Sequence, residues 1–102
     1  MNVFSHFRDE IVASLREIAS AGDLPADLDF RAVTAEPPRD PSHGDVATNA
    51  GMVLARPASM KPRDIAALLA VRLERVDGVA SVEIAGPGFI NLRLVSGFWH
   101  GR

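Results

Sequence analysis

The sequence predicts an α+β fold of two layers, in which helices pack on one face of a small, mostly antiparallel sheet. Apolar residues recur every three or four positions in the first and third quarters of the chain, which is typical of amphipathic helices. Near the end of the chain they alternate strictly, which is typical of strands. Helical and strand-like segments do not follow one another in the β-α-β order of a parallel sheet, so the α+β class is favoured.

Three helices are predicted. The first covers about residues 2–20, with Asn2 as its cap and Gly22 as its stop, and its apolar stripe comprises Phe4, Phe7, Ile11, Leu15 and Ile18. Asp45 is predicted to cap a second helix over 46–55, which Pro57 discourages from continuing. The third covers 62–76 and begins at Pro62; its buried stripe comprises Ile65, Leu68, Leu69, Leu73 and Val76.

Three strands are predicted as well. Residues 30–36 have β-compatible side chains and form a short strand, and the prolines that follow make 37–44 a constrained loop. Residues 79–85 and 89–94 are separated by the turn Gly86-Pro87-Gly88, so they are expected to pair as an antiparallel hairpin.

The last strand carries the clearest functional pattern of the chain. Because successive side chains of a strand point to opposite faces, Ile90, Leu92 and Leu94 form an aliphatic face that belongs to a core. The opposite face carries Phe89, Asn91 and Arg93 in a row. A ring stacks on a base, an amide pairs with a base edge and a guanidinium binds phosphate, so this strip is typical of RNA binding.

Composition limits the possible classes of protein. The 102 residues suit one globular domain, and the absence of cysteine excludes disulfides and thiolate chemistry, which is consistent with a cytoplasmic protein. The longest apolar run, Ile65–Val71, is far too short to cross a membrane. The net charge is −2, but residues 1–45 carry four basic and nine acidic side chains, whereas 46–102 carry seven and four. A polyanionic partner would therefore favour the second half, unless this asymmetry is only chance.

Two further segments resemble a known family. The sequence Pro41-Ser42-His43-Gly44-Asp45-Val46-Ala47-Thr48-Asn49-Ala50, followed by Val82-Glu83-Ile84-Ala85-Gly86-Pro87-Gly88-Phe89-Ile90-Asn91, is similar to the N-terminal additional domain of bacterial arginyl-tRNA synthetases. The resemblance implies that residues 1–95 form this domain and that 96–102 begin a connection to a class I catalytic domain. It implies contact with the D-loop of tRNA(Arg), made by Phe89 and Asn91.

The predicted RNA-binding residues are Phe89, Asn91, Arg93 and Asn49. Each has a structural alternative: Phe89 could pack in the core after a register slip, Arg93 could be a solvated surface residue, and Asn49 could bond locally. His43 and Asp45 are interpreted as loop and cap residues, because two such groups without a third ligand do not make a metal site.

No catalytic, cofactor-binding or metal-binding residue is expected within these 102 residues. The resemblance implies that ATP and Mg²⁺ belong to the catalytic domain of the parent ligase, so the segment alone would not aminoacylate tRNA. Its expected partners are tRNA(Arg) and its own catalytic domain, and not a membrane or DNA.

Three other functions compete with RNA binding. A protein-docking or linker module would cover the face of Phe89, Asn91 and Arg93, whereas RNA binding requires that face to be open. A helix-turn-helix DNA-binding protein built from 45–55 and 62–76, and a small hydrolase that uses His43 and Asp45, are less consistent with the sequence.

Overall fold

The computed structural model describes residues 2–96 and confirms the α+β class. The predicted connection at 96–102 therefore falls, apart from Ser96, outside the described residues. The helices and strands, in chain order, are α1 (Val3–Ser20), β1 (Ala35–Glu36), a short 3₁₀ turn (Pro41–His43), β2 (Val46–Thr48), α2 (Ala50–Ala58), α3 (Pro62–Leu73), β3 (Val79–Ala85) and β4 (Phe89–Leu94).

The four strands form one antiparallel sheet in the order β1-β2-β4-β3. The predicted hairpin is confirmed: β3 pairs with β4 so that Val82 lies opposite Leu92 and Ala85 lies opposite Phe89. On its other side β4 pairs with β2, where Ala47 lies opposite Asn91. The strand that carries the predicted RNA-binding strip is therefore held by ladders on both sides.

The hydrophobic core lies between this sheet and the helices. The inner face of β4 contributes Ile90 and Leu92, both fully buried. The helices contribute apolar stripes at the predicted spacing, and their large, fully buried members are Phe7, Ile11, Leu15, Ile18, Leu54, Ile65, Leu69 and Leu73. The Asn2 side chain caps α1 as predicted, because its Oδ1 accepts the backbone N–H groups of Phe4 and Ser5.

The prediction of a helix starting at residue 46 was wrong, because Val46–Thr48 is the strand β2. Val46 and Thr48 are β-branched and buried on the inner face of the sheet, so pairing with β4 is favoured over a helical turn. The second helix begins only at Ala50 and extends through Pro57 to Ala58. Pro57 cannot donate the one i→i−4 hydrogen bond expected at its position, and α2 ends one residue later at Ala58.

Two other boundaries differ from prediction. Of the strand predicted over 30–36, only Ala35 and Glu36 pair. The preceding backbone is held instead by a side chain of α1: Arg8 donates from Nε to the Val33 carbonyl at 2.8 Å and from Nη2 to the Phe30 carbonyl at 3.0 Å. The third helix ends at Leu73 and not at residue 76.

Asp45 terminates the β2–β4 ladder rather than capping a helix. Its Oδ2 accepts the backbone N–H of Leu94 at 2.8 Å, just beyond the last ladder partners Val46 and Leu92. The Asp45 side chain thus supplies the acceptor that a partly buried backbone N–H needs where no strand carbonyl provides one.

We expect Asp45→Ala to lower the free energy of unfolding by about 1–2 kcal/mol, because the Leu94 N–H then loses a charged acceptor. Hydrogen exchange at the Leu94 amide, measured by NMR, should accelerate beyond that of neighbouring amides. Asp45→Asn keeps an oxygen at this position and should retain part of the protection. Equal exchange in all three proteins would contradict this role for the carboxylate.

Candidate nucleic-acid interface

The predicted strip of β4 faces away from the helices. Phe89 is 43% exposed, whereas its neighbour Ile90 is fully buried. Core packing of Phe89 through a register slip is therefore excluded. Arg93 is exposed as well, but Asn91 is only 6% exposed, which the sequence did not predict.

Phe89 and Asn91 both lie in a cleft of about 470 Å³ on the outer face of the sheet. One wall is the sheet itself, with Ala47, Ala85, Phe89 and Asn91. Glu36 of β1 lies at the edge of the sheet, and the other wall is the segment that follows β1, which contributes Pro37, Pro38, Arg39 and His43. The structure thus brings together three of the four predicted residues, Phe89, Asn91 and Asn49, while Arg93 is not among the lining residues.

The second wall belongs to residues 37–44, which we call the latch loop, and this loop is fixed to β4. The Arg93 guanidinium donates to the Ser42 carbonyl at 2.8 Å, and the backbone N–H of Asp45 donates to the Leu92 carbonyl at 2.8 Å. Between these contacts Gly44 has a φ of +144°, and a Cβ there would lie 2.7 Å from the Leu92 carbonyl oxygen. Only glycine allows this approach, so the latch loop and the strip form one unit.

Within the latch loop, Asp40 holds the 3₁₀ turn. Its Oδ1 accepts the backbone N–H of Ser42 at 2.9 Å and the Ser42 hydroxyl at 2.8 Å. The backbone hydrogen bond and then the hydroxyl hydrogen bond lower the pKa of Asp40, so its carboxylate is ionised at neutral pH.

The two asparagines of the cleft differ in what they offer to a ligand. Asn49 accepts the Thr34 N–H at 2.8 Å on Oδ1 and donates to the Ala32 carbonyl at 3.1 Å, so it fastens the chain before β1 to the start of α2. Within residues 2–96 the Asn91 carboxamide makes no hydrogen bond, yet no polar side-chain atom there is both fully buried and unpaired. The Asn91 amide therefore opens to the cleft with its donor and acceptor free.

Phe89 is positioned by the turn that precedes it. A Cβ at Gly88 would lie 2.5 Å from the Pro62 Cβ, and one at Gly51 would lie 2.7 Å from both the Gly88 and Pro62 carbonyl oxygens. The Arg63 guanidinium also donates to the Gly86 carbonyl. The start of α3 and the first turn of α2 thus clamp the hairpin turn, a contact that sequence periodicity does not reveal.

Charges of both signs surround the cleft. Arg39 and His43 bring positive or titratable groups on the latch loop, whereas Glu36 brings a carboxylate into the lining. Among the described residues no three His, Cys, Asp or Glu side chains are grouped closely enough to hold a metal ion. His43 lies in the 3₁₀ turn of the latch loop, as predicted for a loop residue, whereas Asp45 accepts the Leu94 N–H and does not cap a helix.

The structure is thus a small α+β domain whose sheet carries a cleft lined by an aromatic ring and an amide. The family described as the arginyl tRNA synthetase N terminal domain matches residues 5–94, and the chain belongs to this family.

Relatives of the chain are consistent with this assignment. The arginine–tRNA ligase of Paracoccus denitrificans is 60% identical over 99 residues, which cover 97% of this chain and 17% of the relative. The ligase of Parvibaculum lavamentivorans is 55% identical over 102 residues, 100% of this chain and 18% of the relative. That of Cereibacter sphaeroides is 55% identical over 101 residues, 99% and 17% respectively. The chain therefore spans less than a fifth of the length of these relatives.

None of the helices in residues 2–96 has the length and apolar character that crossing a bilayer requires.

Proposed function

We propose that this chain binds tRNA(Arg) at the D-loop and positions the tRNA for arginylation by a catalytic domain. The observation that carries the proposal is the cleft in which an exposed Phe89 ring lies beside a free Asn91 amide. The names of the relatives supply the identity of the tRNA, since all three are arginine–tRNA ligases.

Each predicted residue has a distinct part in this proposal. The Phe89 ring stacks on an unstacked D-loop base, and the Asn91 amide pairs with the edge of that base. Arg93 uses one N–H on Ser42 and keeps others for a phosphate, while Asn49 has one amide hydrogen left for the RNA. Contacts so far from the chemistry act by orientation, because they restrict how the acceptor end enters a catalytic site.

The wider assignment follows from the same proposal. Residues 1–95 act as the recognition domain and 96–102 begin the connection to a class I catalytic domain, which binds the ATP and Mg²⁺ of the reaction. The ligase acts in the cytoplasm. Docking of this domain on a protein through the same face is the alternative, but a ring, an amide and a guanidinium along one strand face are the chemistry of base and phosphate contacts, which favours RNA.

The proposal is tested by NMR titration of the ¹⁵N-labelled chain with a tRNA(Arg) transcript. We expect the largest amide shifts in β4 and the latch loop, and none around Val71, an exposed residue of α3 on the helical side. Shifts centred on α3, or no shifts with tRNA(Arg) at high concentration, would contradict the proposal. A transcript of unrelated tRNA serves as the reference for non-specific contact.

We expect tRNA binding to weaken with salt, but shallowly. The cleft and its edge offer only Arg39, His43 and Arg93 to phosphates, so the log–log slope should be on the order of −2, since each contact contributes about 0.7 to 0.9. Fluorescence anisotropy with labelled tRNA at several salt concentrations measures this slope. A value near −6 would indicate a basic surface elsewhere on the domain.

A further inference from the structure

We infer that Glu36 and Ala47 complete a slot beside Asn91 that admits the edge of a nucleobase and excludes phosphate, with the Glu36 carboxylate accepting a hydrogen bond from an N–H of the base. This inference rests on the proposed function and adds a specificity-determining residue to the cleft.

The register of the sheet places these residues in one row. Glu36 of β1 lies opposite Ala47 of β2, and Ala47 lies opposite Asn91 of β4. Directly opposed residues of antiparallel strands point to the same face, so all three side chains stand on the outer face of the sheet. All three also line the cleft.

The middle residue of this row, Ala47, has the smallest side chain. Neighbouring strands are about 4.8 Å apart, so Glu36 and Asn91 stand about 10 Å apart across the sheet, with only the Ala47 methyl group between them. A gap of this width above a methyl group accepts the edge of a flat ring. Larger side chains at Ala47 would close the gap.

The side chains at the two ends of the row, Glu36 and Asn91, determine which chemical group of the RNA can enter the slot. Ionised carboxylates only accept hydrogen bonds, and phosphate oxygens do the same, so Glu36 repels a phosphate and pairs with an amino or imino N–H. Asn91 both donates and accepts, so it pairs with the remaining part of a base edge. Arg39 and Arg93 remain at the periphery for the backbone phosphates.

Glu83 provides a matched control. It lies opposite Asn91 on β3, on the same face of the sheet and also exposed, but it does not line the cleft. The slot therefore predicts different effects for two acids that stand in the same row. Ala80, exposed on β3 outside the cleft, is the matched control for Ala47.

The test compares the affinity of the 102-residue chain for a tRNA(Arg) transcript and for transcripts in which single D-loop nucleotides are abasic. Discrimination is the ratio of the two affinities at the most sensitive nucleotide. We expect Glu36→Ala to reduce this ratio by about tenfold, as for loss of a charged hydrogen bond, without weakening the abasic complex. Glu83→Ala should leave the ratio unchanged.

Ala47→Val should lower the affinity for the intact transcript by at least tenfold, whereas Ala80→Val should not. Tm and the amide spectrum of each variant report whether its fold is kept. If Ala47→Val unfolds the domain, Glu36→Ala on its exposed position still decides the inference. If the unaltered chain discriminates between the transcripts and Glu36→Ala discriminates equally well, the slot is overturned but the proposed function is not. Absence of any discrimination by the unaltered chain would overturn the proposed function as well.

Discussion

Phe89→Ala is expected to weaken binding of tRNA(Arg) by about tenfold to a hundredfold, because a lost stack between a base and an aromatic ring is worth about 1–3 kcal/mol. The stability of the domain should change little, since the ring is 43% exposed and belongs to no buried cluster. Binding is measured by anisotropy with labelled tRNA, and stability by thermal unfolding.

Val71→Ala is the control for this change. Val71 is 54% exposed, more than Phe89, but it lies on α3, away from the cleft. Loss of an exposed apolar side chain at this position should leave the affinity for tRNA unchanged. A Phe89→Ala protein that keeps full affinity but loses several degrees of Tm would show that the ring serves the fold and not the RNA.

The same variant can be followed through catalysis in a chimera. The chain replaces the matching 99 residues of the Paracoccus denitrificans ligase, with which it shares 60% identity. In this chimera Phe89→Ala should lower kcat/KM for tRNA by a similar factor, because about 1.4 kcal/mol corresponds to a factor of ten. Activation of arginine should remain normal when it is measured at saturating tRNA.

Gly51→Ala is expected to destabilise the domain by about 1–3 kcal/mol, the usual result of overpacking. The added Cβ would lie 2.7 Å from the carbonyl oxygens of Gly88 and Pro62, so α2 must move away from the hairpin turn. A loss of this size lowers Tm by about 4–8 °C per kcal/mol in a domain of 60–100 residues.

The sign of this effect is decisive. In an open helix the same change would stabilise the protein by about 0.8–1.0 kcal/mol, because alanine has the higher helix propensity. A rise in Tm for Gly51→Ala would therefore contradict the tight contact between α2 and the turn. Gly22→Ala, where nothing lies within 4 Å of the added Cβ, tests glycine replacement without such a contact, although its φ of +91° adds local strain.

The parts of the fold that local patterns govern could be predicted from the sequence. The stripe of α1 and the alternation of β3 and β4 are regular, and the structure contains all three elements near the predicted bounds. β2 could not be predicted in this way, because its three residues are a strand through pairing with β1 on one side and with β4, more than forty residues later, on the other. The same sequence considered alone is compatible with the start of a helix.

The sequence predicted which residues of β4 share a face, but not the shape of the cleft in which they lie. The alternation of β4 indicates that Phe89, Asn91 and Arg93 share a face, and this is confirmed by their position on the outer face of the sheet. Their RNA contacts remain a prediction. The burial of Asn91 comes from the latch loop, whose position depends on Gly44 and on hydrogen bonds without periodicity, so only the Pro-rich and Gly-containing motif at 37–44 signals it.

The contact between Arg93 and Ser42 joins residues 51 positions apart in the sequence. The two walls of the cleft are therefore joined by a non-local contact, which forms only when a long loop of chain has closed. No partly folded form with only the hairpin would have a second wall. The number of RNA-binding sites in a sample thus reports global folding. A variant that is half unfolded at a given temperature has half the number of competent sites, and each of these sites keeps its affinity.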